Sequence, residues 1–442
     1  MSLKPSLTGL DQARIIERDE HPISRKQITP NALKVLYRFK EAGFHAFLVG
    51  GGVRDLMLGN KPKDFDIATN AIPEEIKRLF KNARIIGRRF KIVHIRFGRE
   101  IIEVTTFRAH HDPQNEIADD ASRRQIRGLD SAHSSSGMIL RDNVYGDIDQ
   151  DALQRDFTVN ALYYTLDHFR VLDFSTGMED LDKKEIRIIG DPATRYREDP
   201  VRMLRAIRFS AKLGFSIEES TQRPFDQLGH LLNSVSRARL FDETLKLLAG
   251  GHAAVTFEKL RNFHLGPYLF APTLEAMKQA ELPWGKLIDL ALENTDKRLT
   301  MGKSVTPAFL FAAILWPVLK LHLTQPVSPG MNRHQHFIQA ANQTFLEQLN
   351  YTAIPRRVTS VSREIWELQY RLERKNKRSI EAAFSHPRFR AAYDFLLLRE
   401  QAGENLGALG QWWTDFQTGD TKRKIQMITA VSRPSKRRRK RT

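Results

Sequence analysis

The tripeptide Asp64-Phe65-Asp66 places two carboxylates two residues apart in a segment whose pattern predicts a β-strand. Side chains two apart on a strand point to the same face, so both carboxylates would converge while Phe65 enters the core. Mg²⁺ prefers carboxylate oxygens and keeps coordination positions open for substrate phosphates. Two such ions can activate an attacking hydroxyl and stabilise a leaving pyrophosphate. The pair therefore predicts a divalent-metal site for phosphate chemistry.

Three consecutive glycines, Gly50, Gly51 and Gly52, precede this pair along the chain. Glycines adopt positive φ and let backbone N–H groups approach an anion closely. A helix predicted to follow would direct its positive end to the same place, and Arg54 would add a charge-assisted bond to phosphate. A glycine triplet alone also fits an ordinary tight turn with a surface arginine. The short sequence separation between these glycines and Asp64 favours a turn that holds a triphosphate.

Two further acids are candidates for a third active-site carboxylate, and the residues alone do not choose between them. Glu103 lies in the predicted strand 101–106 among apolar neighbours, where a carboxylate is costly unless it is paired or bound to metal. Asp156 lies near a predicted helix start, where it could instead cap the helix or pair with Arg155. Arg155 and Asn160 supply donors for phosphate or ribose.

A second cluster of polar residues begins at Asp199. Pro200 suits the first turn of a helix, and Asp199 suits its cap. Asp199 and Arg202 are three residues apart and share a helix face. One accepts and the other donates hydrogen bonds, which matches the polar edge of a nucleotide base. A capped basic helix with an internal ion pair is the alternative interpretation.

The elements that position these residues change in type along the chain. Short strands and helices alternate at first, whereas helical patterns dominate from about residue 199 to about residue 416. The polar segment 110–141 predicts a long flexible loop. We predict an α+β head followed by an all-helical remainder. The predicted helices of the head cover 31–42, 53–58, 73–80 and 151–162, and its predicted strands cover 45–49, 65–68, 92–97, 101–106, 163–166, 171–174 and 186–189.

Composition restricts the possible partners and sites. The chain of 442 residues has 70 basic and 52 acidic side chains, a formal charge of +18, which suits a polyanionic partner. It has no cysteine, so disulfides, zinc–thiolate sites, iron–sulfur clusters and cysteine nucleophiles are excluded. We expect no signal peptide, because the N-terminus is polar, and no integral membrane contact, because the longest apolar run, 307–319, is too short to span a bilayer. The basic run Lys436–Arg441 predicts a disordered tail that neutralises phosphates, the alternative being a solvated tail without a specific role.

Five ordered motifs resemble those of the class II nucleotidyltransferases, the group of CCA-adding tRNA nucleotidyltransferases and bacterial poly(A) polymerases. The resemblance is close over about residues 45–215. The rest of the chain resembles the group only in being helical. It implies a polymerase-β-like nucleotidyltransferase head, a neck that selects the nucleotide, and a helical body that holds RNA. It also implies Mg²⁺ on Asp64 and Asp66 and a catalytic role for Asp156. The motifs are Gly51-Gly52-Val53-Arg54-Asp55, Leu58-Gly59, Asp64-Phe65-Asp66, Arg155-Asp156-Phe157-Thr158-Val159-Asn160-Ala161 and Glu198-Asp199-Pro200-Val201-Arg202.

Two further segments resemble the poly(A) branch of this group: 85–95 and 389–394, together with the basic tail. We therefore expect a template-independent polymerase that adds AMP from ATP to RNA 3′ ends, with Mg²⁺ as the cofactor and Mn²⁺ as a substitute. The alternatives are a CCA-adding enzyme, which would need a tRNA acceptor and CTP, and a non-catalytic RNA-binding protein.

The site residues expected from this interpretation fall into two groups. Asp64, Asp66 and Asp156 would be catalytic, the first two as metal ligands. Nucleotide-binding residues would be Gly51, Gly52, Arg54, Arg155, Asn160, Asp199 and Arg202.

The resemblance also divides the chain. We expect a flexible arm over 1–30, a catalytic head over 31–166, a neck over 167–235, an RNA-binding body over 236–416 and a disordered basic tail over 417–442. We expect a cytoplasmic monomer whose tail also offers a contact for RNA-decay proteins.

Overall fold

The computed structural model describes residues 9–87, 90–109, 116–117, 131–134, 138–278, 284–327, 329–374 and 376–432. The chain divides into two units, residues 1–231 and 232–442. The first unit holds every strand of the described residues, and the second is helical. This confirms the predicted α+β head and helical body.

The first unit is built on a mixed sheet with the strand order β1-β11-β10-β2-β3-β6-β5-β4. Neighbouring strands are antiparallel except β3 and β6, which are parallel. A short parallel pair, β12-β13, and a small sheet, β7-β8-β9, lie outside it. The strands are β1 (Arg14–Ile16), β2 (Ala46–Val49), β3 (Asp66–Thr69), β4 (Ala83–Ile86), β5 (Ile92–Phe97), β6 (Glu100–Thr106), β7 (Glu116–Ile117), β8 (Ser131–Ser134), β9 (Ile139–Asp142), β10 (Leu162–Tyr164), β11 (Val171–Asp173), β12 (Glu185–Ile186) and β13 (Ser216–Ile217).

The helices of the first unit begin and end at recognisable signals. The first has Pro at its N-terminus, with the Thr29 side chain as its cap, and ends at Gly43, whose φ of 82° is left-handed. A cluster of buried side chains that includes Phe47, Ile148 and Tyr163 packs helix against sheet. The helices are α1 (Pro30–Ala42), α2 (Gly51–Met57), α3 (Pro73–Leu79), α4 (Ile148–Gln154), α5 (Gly177–Lys183), α6 (Pro192–Glu198), α7 (Val201–Leu213), α8 (Glu219–Gln222) and α9 (Phe225–Leu228).

The N-terminal segment departs from the prediction of a flexible arm, which is wrong for residues 9–30. Strand β1 pairs antiparallel with β11 at the edge of the large sheet. Ile16, Ile23 and Ile28 are buried, and the His21 ring bonds to the carbonyl of Phe169 at 2.8 Å. These apolar residues are irregularly spaced, so they produce no helix or strand period that a sequence pattern would reveal.

Other boundaries also shift. Strand β11 belongs to the large sheet, so this sheet extends past the predicted head boundary at residue 166. The helix predicted over 151–162 ends at Gln154, and a 3₁₀ turn, Thr158–Asn160, follows. Strands β7, β8 and β9 interrupt the predicted loop over 110–141, whose other residues lie largely outside the described ranges. Residues 88 and 89 of the segment 85–95 also lie outside them.

The second unit is helical throughout its described residues. The helices are α10 (Arg237–Leu248), α11 (Ala253–Asn262), α12 (Pro267–Met277), α13 (Trp284–Thr300), α14 (Pro307–Ile314), α15 (Trp316–Thr324), α16 (Arg333–Leu349), α17 (Arg356–Glu373), α18 (Lys377–Phe384), α19 (Phe389–Ala402), α20 (Leu409–Thr418) and α21 (Thr421–Ser432).

The C-terminal helices shorten the predicted tail. Met427 of α21 packs into an apolar cluster with Trp413 and Leu368, so the prediction of disorder over 417–442 is wrong for residues 417–432. The basic run 436–441 lies outside the described residues. In the described residues no single helix is long and apolar enough to cross a membrane; α14 and α15 would pass that test only as a pair, bent by 45°.

Candidate active site

The glycine turn joins the end of β2 to the start of α2. Gly50 has φ 74° and ψ −142°, a conformation that glycine adopts far more readily than any other residue. A Cβ atom placed on Gly50 would lie 3.7 Å from Asp66 Oδ2 and 3.8 Å from Arg155 Nη1. Gly51 and Gly52 are the first residues of the helix. The turn therefore lies directly beside a carboxylate and a guanidinium group.

The predicted metal ligands lie at the start of β3. Asp66 is the first residue of the strand and is partly buried, whereas Asp64 precedes the strand and is exposed. Phe65 between them is 4% exposed, so it enters the core as expected. Glu103 on β6 is the register partner of Asp66. Asp66 and Glu103 thus lie side by side in the sheet, and Asp64 lies two residues before the strand.

The carboxylates influence one another electrostatically. Burial, and then the charges of Glu103 and Asp64, raise the pKa of Asp66 to about 6, although Arg155 acts in the opposite direction. Glu103 is not buried as the sequence suggested, because 48% of its side chain is exposed and it bonds to His94 Nε2 at 3.1 Å. Glu103 is relevant to the site because it lies beside Asp66 in the sheet, not because its carboxylate is buried.

Arg155 is held by two buried groups. Its Nε donates to the Tyr163 hydroxyl at 2.7 Å, and its Nη2 donates to Asp151 Oδ2 at 3.0 Å. The Tyr163 hydroxyl donates in turn to the same Asp151 oxygen at 2.6 Å. The remaining nitrogen, Nη1, faces Gly50 and Asp66. Arg155 therefore pairs with Asp151, not with Asp156.

Asp156 lies in a different network, which also holds Arg54. The Asp156 carboxylate pairs with Arg205 of α7, at 2.7 Å from Nε, and accepts from Asn160 Nδ2 at 3.2 Å. Burial opposes its ionisation, yet the Arg205 charge and these hydrogen bonds hold the pKa of Asp156 well below its usual range. Asn160 Oδ1 accepts from Arg54 Nη1 at 2.6 Å, and the other nitrogens of Arg54 bond to Asp55.

This network changes the role that the sequence suggested for Arg54. Its side chain is 1% exposed, and each of its three guanidinium nitrogens donates a hydrogen bond inside the protein. A Cβ atom on Gly51 would lie 3.4 Å from Arg54 Nη2. Arg54 therefore supports the glycine turn from beneath and does not reach outward as a surface arginine would.

The predicted base-contacting pair lies at the junction of α6 and α7. Asp199 accepts from the backbone N–H of Val201 at 3.3 Å, but the residue at the capping position of α7 is Pro200, not Asp199 as the sequence suggested. Arg202 is 8% exposed and donates from Nη1 to Glu198 Oε2 at 2.7 Å and to the carbonyl of Arg195 at 2.8 Å. The ion pair of Arg202 thus involves Glu198, whereas the sequence had suggested Asp199.

Several residues of the site escaped sequence reasoning. Arg195 donates to the carbonyls of Gln154 and Arg155, at 2.9 and 2.7 Å, and so ties α6 to the segment that carries Asp156. Tyr163 lies in β10, whose three residues are all buried, and nothing in the sequence pattern indicates that its hydroxyl has a role in the site. The spacing of Asp151 and Arg155 is the one available indication, since an acid and a base four apart can pair within a helix.

The donor set fits a divalent ion. Asp64 and Asp66 offer hard oxygen ligands, and the raised pKa of Asp66 reflects burial first and then carboxylate repulsion, both of which a bound cation would offset. Among the described residues, no group of three or more acidic or histidine side chains is arranged to hold a metal ion by itself. Substrate phosphates and water would supply the remaining ligands, as Mg²⁺ sites for nucleotides commonly require.

Comparison with known proteins assigns the family. The chain is 46% identical to poly(A) polymerase I of Escherichia coli O157:H7 over 436 residues, which is 97% of this chain and 91% of that protein. The chain belongs to the poly(A) polymerase family. Its head matches the family model for the poly A polymerase head domain over residues 46–187. Two more models match: "Probable RNA and SrmB- binding site of polymerase A" over 214–278, and "Polymerase A arginine-rich C-terminus" over 329–442.

In the sequence comparison, CCA-adding enzymes match a smaller part of the chain than the poly(A) polymerases do. A CCA-adding enzyme of Lactobacillus helveticus is 37% identical over 227 residues, 51% of this chain and 52% of that enzyme. The crystal structure of the Bacillus stearothermophilus CCA-adding enzyme with CTP covers 92% of this chain and 89% of its own, with a TM-score of 0.56 at 23% identity. That structure establishes the shared fold. Membership of the poly(A) polymerase family confirms the predicted class II nucleotidyltransferase and the predicted polynucleotide adenylyltransferase class.

Proposed function

We propose that this chain extends RNA 3′ ends with AMP units from ATP at the site formed by Asp66, Gly50 and Arg155. The convergence of these three groups carries the proposal, because it joins a carboxylate, a glycine turn and a cation within one small volume. The family membership supplies the nucleotide and acceptor classes. Attack of the 3′ hydroxyl on the α-phosphorus of ATP forms a phosphodiester bond and releases pyrophosphate.

Each group has a part that follows from its position. The backbone N–H groups of Gly51 and Gly52, at the start of α2, would donate to triphosphate oxygens. Arg155 Nη1 adds a charge-assisted bond on the same side. Arg54 and Asn160 keep the turn in place from beneath, and Asp156 connects them to α7 through Arg205.

Asp64 and Asp66 would hold Mg²⁺, or Mn²⁺ in its place, which when bound promotes loss of the attacking hydroxyl proton and offsets charge on the leaving pyrophosphate. We propose Glu103 as the third acid beside them, because it is in register with Asp66 and acts on its pKa. We propose that Asp156 serves the catalytic site through its contacts with Asn160 and with Arg205 of α7.

Asp199 and Arg202 would face the adenine base. A carboxylate acceptor and a guanidinium donor match the polar edge of a base, and Glu198 fixes the guanidinium of Arg202. For the acceptor, we propose RNA bound without sequence preference by the basic helical body and tail. We further propose that the protein works in the cytoplasm as a monomer, with the tail available to RNA-decay proteins.

The decisive variants are Asp66→Asn and Asp64→Asn, which keep side-chain size and remove the charge. We expect primer extension to fall by at least about a thousandfold, since the ligands of a catalytic ion contribute several kcal/mol to the transition state. RNA affinity, measured by filter binding, should stay within about twofold of the parent because the proposal assigns RNA retention to the basic body and tail. The matched control is Asp226→Asn, a first-turn acid of α9 in the same unit. Full activity in Asp66→Asn would remove the metal assignment.

A further inference from the structure

The group that orients Arg155 is a buried hydroxyl on β10. Tyr163 is 0% exposed and Asp151 is 1% exposed, so both are shielded from solvent. Together they engage two of the three guanidinium nitrogens of Arg155, Nε and Nη2. Within the residues that the structure describes, Nη1 has no hydrogen-bond partner, and it faces the glycine turn.

We propose that Tyr163 and Asp151 are positioning residues for ATP, which fix the guanidinium plane of Arg155 so that Nη1 meets the triphosphate beside Gly50. This inference rests on the proposed function, since it concerns how the same site binds its nucleotide. A guanidinium held at two nitrogens has lost most of its rotamer freedom before the nucleotide arrives, so less entropy is lost on binding.

The protonation states suit this arrangement. Burial raises the pKa of the Tyr163 hydroxyl well above its usual value, so it keeps its proton and donates it to Asp151. Burial opposes ionisation of Asp151, but the charges of Arg155 and then Arg108 hold its pKa below its usual value. The backbone N–H of Arg108 also donates to Asp151, at 3.2 Å. Asp151 and Arg155 are thus ionised, Tyr163 stays neutral, and their mutual hydrogen bonds hold two of the three guanidinium nitrogens of Arg155.

The alternative is that Tyr163 merely fills the core. Its ring does pack edge-on against Phe47 and Phe174, at centroid distances of 6.2 and 5.7 Å. The substitution Tyr163→Phe keeps this ring and removes the hydroxyl. The neighbouring Tyr164→Phe is a matched control, because Tyr164 is also 0% exposed but points to the opposite face of β10.

The experiment measures the Kd of ATP with Mg²⁺ by calorimetry, without RNA, for the full chain and both variants. For Tyr163→Phe we expect Kd to rise about tenfold, which corresponds to the loss of about one charge-assisted hydrogen bond. Tyr164→Phe should bind ATP like the parent. RNA affinity should be unchanged in both variants. An unchanged Kd in Tyr163→Phe, or equal losses in the two variants, would overturn the positioning role.

A double-mutant cycle separates positioning from packing. If Tyr163 acts through Arg155, then Tyr163→Phe should add nothing to the Kd already raised by Arg155→Met. Additive losses would mean that the hydroxyl acts independently of Arg155, which contradicts the proposal. If Tyr163→Phe fails to fold, Asp151→Asn takes its place in the same cycle. A parent chain that binds no ATP would instead refute the proposed function itself.

Discussion

Asp156 and Arg205 form an ion pair that joins the segment after α4 to helix α7. The Asp156 side chain is 12% exposed and that of Arg205 is 31% exposed, and both belong to the first unit. The pair connects the network under the glycine turn with the helix that begins beside Asp199. Arg202 and Arg205 both lie on α7, so this salt bridge ties the helix of the proposed base-contacting residue Arg202 to the segment that follows α4.

Removal of Arg205 should leave Asp156 buried without its partner. We expect Arg205→Met to lower the free energy of unfolding by about 2 kcal/mol, less than for a fully buried pair because Arg205 is partly exposed. Urea unfolding of the chain measures this. The control Arg223→Met breaks an exposed pair with Glu219, at 73% and 79% exposure, and should change stability by less than about 0.5 kcal/mol. Equal stabilities for both variants would count against the structural importance of the pair.

Gly50 should tolerate no side chain. In Gly50→Ala the residue would be strained at φ 74°, and its methyl group would occupy the space between Asp66 and Arg155. We expect kcat/KM for ATP to fall at least about a hundredfold, since small displacements of reacting groups cost rate steeply. Gly59→Ala is the control: Gly59 has a similar φ of 72°, but nothing lies within 4 Å of its Cβ position. That variant should lose only about 1 kcal/mol of stability, and comparable activity losses in both would show that strain alone is responsible.

The N-terminal segment should loosen at mildly acidic pH. Burial lowers the pKa of His21, although its bond to the Phe169 carbonyl and the charge of Glu20 raise it in part, while Arg18 lowers it further. His21 accepts from the N–H of Ile23, so its other nitrogen donates to Phe169 as a neutral ring. Because the folded-state pKa lies below the ordinary value of 6.5, the unfolded segment binds more protons, and stability falls as pH drops below about 6.5.

Hydrogen exchange of residues 9–30 at pH 7.5 and pH 5.5, corrected for intrinsic rates, measures this effect. Protection should decrease at the lower pH in the parent chain. In His21→Asn, which keeps hydrogen-bonding groups but does not titrate, protection should be independent of pH. A pH dependence that survives this substitution would assign the effect to another group.

RNA binding should depend strongly on salt, and part of that dependence should come from residues 433–442. This stretch contains seven basic side chains. For single strands the slope of log K against log salt is about −0.7 per phosphate contact, so truncation after Ser432 should reduce the slope by up to about 5. ATP affinity of the truncated chain should match the parent. A slope that truncation leaves unchanged would mean that the tail is solvated and takes no part in RNA binding.

The sequence predicted elements best where local signals were strong. The helix from Pro30 and the hairpin of β5 and β6 carry clear periodicity and turn residues, so their bounds agree with prediction within one residue. Strand β1 was missed because its three residues gain their stability from pairing with β11, more than 150 positions later. Such a partner leaves no local pattern.

The site could be predicted by residue type but not by contact. The convergence of Asp66 with the glycine turn follows from motifs that lie close together in the sequence. The partners of Arg54 and Asp156 cannot be predicted in this way. Asn160 bonds to Arg54, and Arg205 bonds to Asp156, from segments that are distant in the sequence. A charged residue near a motif can serve either the ligand or the fold, and only its burial and partners distinguish these roles.

The most direct test of the account is primer extension with single nucleotides and Mg²⁺, given an unstructured RNA primer or a tRNA that lacks its 3′ end. The account predicts long extension of the primer with ATP alone, little extension with CTP, and loss of both in Asp66→Asn. Addition that requires CTP, stops after two or three nucleotides and occurs only on the tRNA would contradict it, and would assign CCA addition to this site instead.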